Sequence, residues 1–423
     1  MRNETILCLS TRIWDSLWRS TQQIMVRLAA NNRVVFVEPQ RNPDASYFSD
    51  FWQRWRYFGK VSVESSAPNL EVVHTPPGFP FFQRSLPSNF LRYLVPVVTR
   101  VNNWLMLWHL KRVVRKLGVQ QPILWLYKTR DVGLAGHLGE KLVCYYCYDE
   151  HADFASNRRI RELLLDFDER LCRRADVVFT SSQLQYRRRR SFNHQTYFVP
   201  NGVDYPLFSR ALNPATPVPP EIEGLSRPIV GFAGWLGHYI DVELLIALAE
   251  TYPETSLILV GPDALKRDYL WRKLRSQSNV VFAGRKRRQE LPGYLKEFDA
   301  ALLPFILSGH ILAAYPLKLH EYLAAGCSVV ATGLPELEPF KSVVRIAKTR
   351  EAFVRLLPEA VDDNGSDRVG ERTRIARLNS WSRRTATINQ ILDARLAAKS
   401  HMLSENSGSQ WNQSVRLDGP GRG

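Results

Sequence analysis

Short apolar runs return along the whole chain, most of them followed by a loop and then a segment whose apolar residues fall at helical spacing. Thr5 to Ser10, Arg33 to Glu38, Pro122 to Tyr127, Leu142 to Tyr148 and Ala175 to Ser182 are such runs in the first half. Pro228 to Ala233, Ser256 to Pro262, Asn279 to Arg285, Asp299 to Phe305 and Val329 to Thr332 repeat the pattern in the second. Continuous apolar runs of this length fit strands buried on both faces of a parallel sheet. Thr21 to Asn31, with Ile24, Met25 and Leu28 on one face, links the first two strands as a right-handed βαβ unit. At 423 residues the chain is long enough for two such α/β domains with full cores. The expected division is a first domain over 1–205, a proline-rich linker over 206–227 and a second domain over 228–378. A helix over 379–396 then crosses back, and the polar end, 397–423, reads as a disordered tail.

The stretch from Tyr315 to Thr332 carries the most chemistry. Pro316 suits the first helical position, and Leu319, Tyr322 and Leu323 make an apolar helix face. Gly326 stops the helix before the Val329–Ala331 strand. Lys318 and Glu321 share one side of the first turns. A helix N-terminus plus a lysine makes an anion site that a diphosphate would fit, with Glu321 placed to accept from sugar hydroxyls. The plainer alternative is a surface ion pair.

Three stretches together carry a family resemblance. They are Glu321–Tyr322–Leu323–Ala324–Ala325–Gly326 with the Val329–Thr332 strand, the succession from Ala175 to Pro200–Asn201–Gly202–Val203–Asp204, and the turn Gly234–Trp235–Leu236–Gly237 after a strand. The chain resembles GT-B-fold glycosyltransferases of the glycosyl transferase group 1, family-four type, near the teichuronic-acid-type branch of bacterial surface-polysaccharide transferases. The first glutamate of that family's motif would fall at Ala313, so this half of the motif is absent. The resemblance implies two Rossmann-like domains facing a central cleft (GT-B), with a nucleotide-sugar donor on the second domain and a lipid-linked or glycan acceptor on the first. Gly234 and Gly237 would face the donor diphosphate, Arg285 and Lys318 would supply positive charge, and Glu321 would hold hydroxyls. No metal or cofactor is implied. Asp149 and Glu150 follow a strand, where α/β sheets place catalytic groups, and either one is a candidate base for the acceptor hydroxyl. Helix capping by Asp149 or Asp153 is the alternative.

The net charge of +16 admits nucleic acid, an anionic membrane surface or a phosphorylated substrate as partner. Tyr47–Lys60 and Phe79–Lys116 interleave aromatic residues with arginine and lysine, a pattern suited to a membrane interface, with Trp52 and Trp55 central to it. Trp14 and Trp18 read either as acceptor contacts or as core anchors. Arg187–Arg190 faces acidic lipid or simply solvent. No nucleic-acid partner is expected. The cysteine usage makes the cytoplasm the expected location, and since no stretch is long and apolar enough to span a bilayer, any contact with the inner face of the cell membrane is expected to be peripheral. The five cysteines are too few for a disulfide framework, and Cys144–Tyr145–Tyr146–Cys147 sits inside a strand. Two other readings stand beside the transferase: a GT-B sugar-nucleotide epimerase, and a noncatalytic basic protein that binds membrane or nucleic acid.

Overall fold

The computed structural model describes residues 1–15, 18–41, 45–79, 89–155, 157–264, 268–312 and 315–414. Phe81, Phe82 and Ala313 lie outside the described residues, as do the side chains of Tyr47, Phe90, Tyr93 and His151. The chain forms two compact units. The first holds Met1–Thr180, Tyr186–Val199 and the segment from Thr385; the second holds Ser181–Gln185 and Pro200–Arg384.

The first unit is built on eight strands: β1 Thr5–Leu9, β2 Arg33–Val37, β3 Ser62–Ala67, β4 Leu70–His74, β5 Ile123–Leu126, β6 Leu142–Cys147, β7 Val177–Thr180 and β8 Thr196–Phe198. Their order is β3-β4-β2-β1-β5-β6-β7-β8. Apart from the antiparallel β3–β4 hairpin, neighbouring strands are parallel. Leu7, Val35, Leu124, Leu126 and Tyr145 point into one buried layer. Trp125 stacks on Phe179 and Tyr146, at 5.7 and 6.1 Å between ring centroids. Full burial of each large aliphatic side chain contributes about 1.5–3 kcal/mol, so the apolar runs dominate the stability of the sheet.

The second unit carries β9 Ile229–Ala233, β10 Ser256–Val260, β11 Val280–Gly284, β12 Ala300–Leu303, β13 Ser328–Thr332 and β14 Val344–Ala347. They form one all-parallel sheet in the order β11-β10-β9-β12-β13-β14. This is the doubly wound α/β architecture expected of both halves. Among the parallel strands the order reverses between β1 and β5 in the first unit and between β9 and β12 in the second. Loops diverge at such a switch point, and a crevice opens beyond the carboxyl ends of the two strands.

Two segments pack more tightly than their composition implied. Residues 206–227, read as a linker, place Phe208, Ala211 and Ile222 in the core of the second unit. Lys296 Nζ donates to the carbonyls of Pro214 and Thr216, at 2.8 and 3.0 Å. The helix Trp381–Ser414 runs on through residues read as tail. Ile388 and Leu392 are buried, and Lys399 pairs with Asp176 at 2.7 Å.

Candidate functional site

At the switch point of the second sheet, the chain leaves β9 through Gly234–Trp235–Leu236–Gly237. The helix Leu317–Ala324, eight residues long, enters from the β12 side. Its N-cap is Pro316, no side chain caps it, and its N-terminus lies on the path from the carboxyl end of β12. Lys318 Nζ lies 2.7 Å from Glu321 Oε2, and both side chains are mostly buried, with exposures of 26% and 12%. The ion pair offered as the plainer alternative is therefore formed. The next residue of the helix, Tyr322, is fully buried, and its hydroxyl accepts the Ala233 N–H at 2.9 Å. The helix is thus fastened to the last residue of β9.

The glycine turn is tied into the sheet. The Gly234 N–H donates to the Val260 carbonyl at 2.8 Å and the Leu236 N–H to the Pro262 carbonyl at 3.0 Å, so these donors are spent on the sheet edge. The physical need for glycine is close approach. A Cβ on Gly261, whose φ is +149°, would stand 1.6 Å from the Gly234 carbonyl oxygen, and one on Gly234 would lie 3.4 Å from Lys318 Cε. What excludes a side chain at Gly234 is the Phe232 ring, 2.6 Å from where its Cβ would stand, whereas Lys318 Cε lies at ordinary contact distance. A Cβ on Gly237 would meet the ring of Trp235, at 2.5 Å. Arg285 follows β11, and the Gly261 N–H donates to the Gly284 carbonyl just before it, at 2.9 Å. Arg285 itself is exposed, and among the described residues no hydrogen bond or ion pair joins it to Lys318 or Glu321.

In the first unit, β6 delivers Asp149 and Glu150 to two different environments. Arg189, almost wholly buried, holds Glu150 with both terminal nitrogens, at 3.1 and 3.3 Å, and pairs with Asp168 at 3.0 Å. Glu150 is therefore committed to a buried ion-pair network. The network also corrects the reading of Arg187–Arg190 as a solvated run, because Arg189 is one of its anchors. Asp149 is pushed up to about 6 by burial, against the opposing pull of Arg19 and Arg12. A carboxyl that titrates there can take up a proton near neutral pH.

Trp14 is a core anchor. It is 7% exposed and packs edge-on against Phe36, with ring centroids 5.0 Å apart. Trp18 lies 5.5 Å from it and is half-exposed. Trp52 and Trp55, at 68% and 50% exposure, project from the helix Tyr47–Trp55. The opposite face of this helix sends Asp50 and Arg54 inward, where Arg54 donates to Asp50 at 2.8 Å and to Thr75 at 3.3 Å. Among the described residues no helix is long and apolar enough to cross a membrane.

With this geometry in place, residues 227–359 match the family described as glycosyl transferases group 1. These residues are a group 1 glycosyltransferase domain. They contain β9 to β14, the Gly234 turn and the Lys318–Glu321 helix. The putative teichuronic acid biosynthesis glycosyltransferase TuaH of Bacillus subtilis (strain 168) is 28% identical over 231 residues, covering 52% of this chain. The match spans 58% of that relative's length. Solved structures share the fold at low identity. Sucrose-phosphate synthase from Thermosynechococcus elongatus aligns with a TM-score of 0.64 and 18% identity, over 94% of this chain and 100% of that one. The α,α-trehalose 6-phosphate synthase of Burkholderia multivorans aligns with a TM-score of 0.66 and 12% identity, over 94% and 99%. Anabaena HepE, solved with UDP and glucose, aligns with a TM-score of 0.58 and 14% identity, over 92% and 99%.

Within the group 1 domain, sequence reasoning missed Glu336. This carboxylate is buried just beyond β13 and accepts the Gln183 N–H at 2.6 Å. Its setting, Pro335–Glu336–Leu337–Glu338–Pro339, looks like a solvated loop in sequence, and nothing local marks one glutamate as buried. The role of Tyr322 was half visible: its spacing put it on the apolar face, but the partner of its hydroxyl lies far away in the chain, at Ala233.

Proposed function

We propose that the chain is a glycosyltransferase whose group 1 domain binds a nucleotide-sugar donor and whose first unit binds the acceptor, a lipid-linked or polysaccharide intermediate of surface-glycan synthesis. The observation that carries this reading is the Lys318–Glu321 pair, set on an uncapped helix N-terminus beside Gly234 at the β9/β12 switch point. Lys318 and the helix N-terminus favour the negative charge that builds on the departing nucleoside diphosphate. Glu321 accepts from the donor's ribose or sugar hydroxyls. The acceptor oxygen bonds to the anomeric carbon, the bond from that carbon to the diphosphate breaks with its electron pair, and Asp149 takes the acceptor proton. This is the inverting form of the reaction. The UDP and glucose of HepE, a protein of the same fold, support a nucleotide-sugar donor. The likeness to TuaH supports a place in bacterial surface-glycan synthesis.

The same reading places the acceptor at an anionic membrane surface, through the exposed aromatic residues of the first unit and the basic residues beside them. The deciding experiment is a thermal-shift and calorimetric panel with UDP-, GDP- and other nucleotide sugars, followed by sugar transfer in the presence of membrane extract. Binding of one nucleotide class, lost on Glu321→Gln, is the expected result. A folded protein that binds none of them would remove the reading.

A further inference from the structure

The turn that leaves β9 runs along the carboxyl ends of three strands. Leu236 bridges to Asp263, shortly beyond β10, and Ile240 to Phe305, shortly beyond β12. The Ile306 N–H also donates to the Tyr239 carbonyl at 2.8 Å. The turn therefore borders the β9/β12 switch point. It begins beside Lys318, whose Cε would lie 3.4 Å from a Cβ on Gly234. Trp235 is the next residue, and consecutive Cα atoms are only about 3.8 Å apart.

Trp235 is 43% exposed, yet its ring is held. It lies over Gly237, where a Cβ would come within 2.5 Å of it. His238 meets the indole at a right angle and Tyr239 at a tilt, with ring centroids 5.8 and 5.5 Å away. Tyr239 is fixed in its turn. Its hydroxyl donates to the Trp235 carbonyl at 2.6 Å, and its ring packs edge-on against buried Phe305 at 5.6 Å. Exposed Ile306 and Leu307 continue the apolar surface on the β12 side. A large ring packed by its own turn, and still nearly half in water, gains little for the core and suits a platform for a ligand. The turn's hydrogen-bonding groups are largely spent. The N–H groups of Gly234, Leu236 and Ile240 donate to the carbonyls of Val260, Pro262 and Gly237. What is offered is ring surface rather than hydrogen bonds. That suits the C–H face of a sugar better than a nucleobase, which is read at its polar edges as well as by stacking.

We propose that Trp235 is the platform for the donor sugar: the C–H face of a hexose lies on the indole while Lys318 and the N-terminus of its helix hold the diphosphate. The inference rests on the donor reading of the group 1 domain. It deepens that reading by naming the residue that tells a nucleotide sugar from the bare nucleotide.

The test uses the full chain and calorimetry with UDP-glucose, UDP-galactose and GDP-mannose, each beside its bare diphosphate, UDP or GDP. Trp235→Leu keeps apolar bulk over Gly237 and removes the flat ring. It should weaken the nucleotide hexose about tenfold, the scale of ring stacking with lost apolar burial, and leave the bare diphosphate within about twofold. Trp235→Phe keeps a ring and should hold the nucleotide hexose within a few-fold. Tm should barely move in either variant, because the indole is nearly half in water. The proposal is overturned if Trp235→Leu binds the nucleotide hexose undiminished, or if it weakens hexose and bare diphosphate alike. In the second case an unchanged Tm puts the ring against the nucleoside, and a lowered Tm makes it structural. Either result leaves the donor reading standing. If the unsubstituted protein binds no nucleotide sugar, the donor reading falls and this proposal with it.

Discussion

At the scale of single residues, the donor and acceptor groups proposed for the two units make separable demands. Glu321→Gln keeps the size of the side chain and removes its charge, so the helix should still fold, and donor affinity should fall roughly ten- to a hundredfold. Lys318→Ala should weaken the same binding. A folded variant of either kind with unchanged donor affinity, measured by calorimetry, would remove this assignment. Asp149 and Glu150 are neighbours that should fail in different ways. Asp149→Asn should cut the transfer rate by about 10²–10⁴ with little change in Tm, since its burial opposes its charge. Glu150→Gln takes one partner from a buried arginine that keeps Asp168, and should cost about 1–3 kcal/mol of stability, read as a lower Tm. The base must be ionised to accept a proton, and Asp149 titrates at about 6. Activity should therefore rise as pH increases through about 6, and a rate flat from pH 5 to 7 would speak against Asp149.

At the scale of elements, the central strands were legible because a parallel strand buried on both faces leaves a continuous apolar run, whereas β3, β4, β8 and β14, toward the sheet edges, were not read. The Val329–Thr332 strand and its helix are stated outright by Pro316, Gly326 and the spacing of Leu319, Tyr322 and Leu323. Less legible was what depends on distant partners. Phe208 and Ile222 convert a proline-rich stretch into packed structure, yet in sequence they are two apolar residues among prolines. Arg189 looks like its three arginine neighbours until Asp168 and Glu150 close on it. The glycine turn was located, but its role as a close contact with Gly261 required the sheet. The helix Ser366–Leu378 shows how such distant charges hold an element. Asp363, just before it, takes Arg345 at 2.8 Å, Arg368 at 2.9 Å and Arg372 at 2.6 Å. Burial raises the Asp363 pKa, but hydrogen bonds from Arg368 and Arg345 and the charge of Arg372 outweigh this and hold it down at about 2. A carboxyl depressed in the folded state stabilises above its unfolded pKa of about 3.9, and that contribution fades as pH falls towards 2. Asp363→Asn should lower Tm at pH 7 and flatten the decline of Tm between about pH 4 and pH 2. A variant whose Tm follows that of the unsubstituted protein at every pH would show that the cluster contributes nothing.

At the scale of the molecule, the net charge of +16 and the placement of aromatic residues bear on where the protein works. Phe48, Trp52 and Trp55 are exposed on the helix Tyr47–Trp55. Trp55 stacks on Phe58 at 5.2 Å, Phe58 meets Trp108 at 5.8 Å, and the Arg112 guanidinium lies over Trp108 at 4.8 Å. The rings thus form one continuous surface that ends in Arg112, Arg115 and Lys116, which with Val61 line a shallow open depression. Exposed tryptophan on this scale is costly in water, and beside cations it suits the boundary between lipid headgroups and acyl chains. The charges should contribute about 1 kcal/mol each near an anionic leaflet, screened over a Debye length of about 8 Å at physiological salt. The inserted rings add a part that salt does not screen. Sedimentation with anionic liposomes should therefore show binding that added salt reduces to a plateau above zero. Trp52→Ser with Trp55→Ser should lower the plateau and spare the salt-sensitive part, whereas Arg112→Ala with Arg115→Ala should do the reverse. If the unsubstituted protein partitions equally with neutral and anionic liposomes, or with neither, the acceptor is met in solution and the aromatic surface serves another contact.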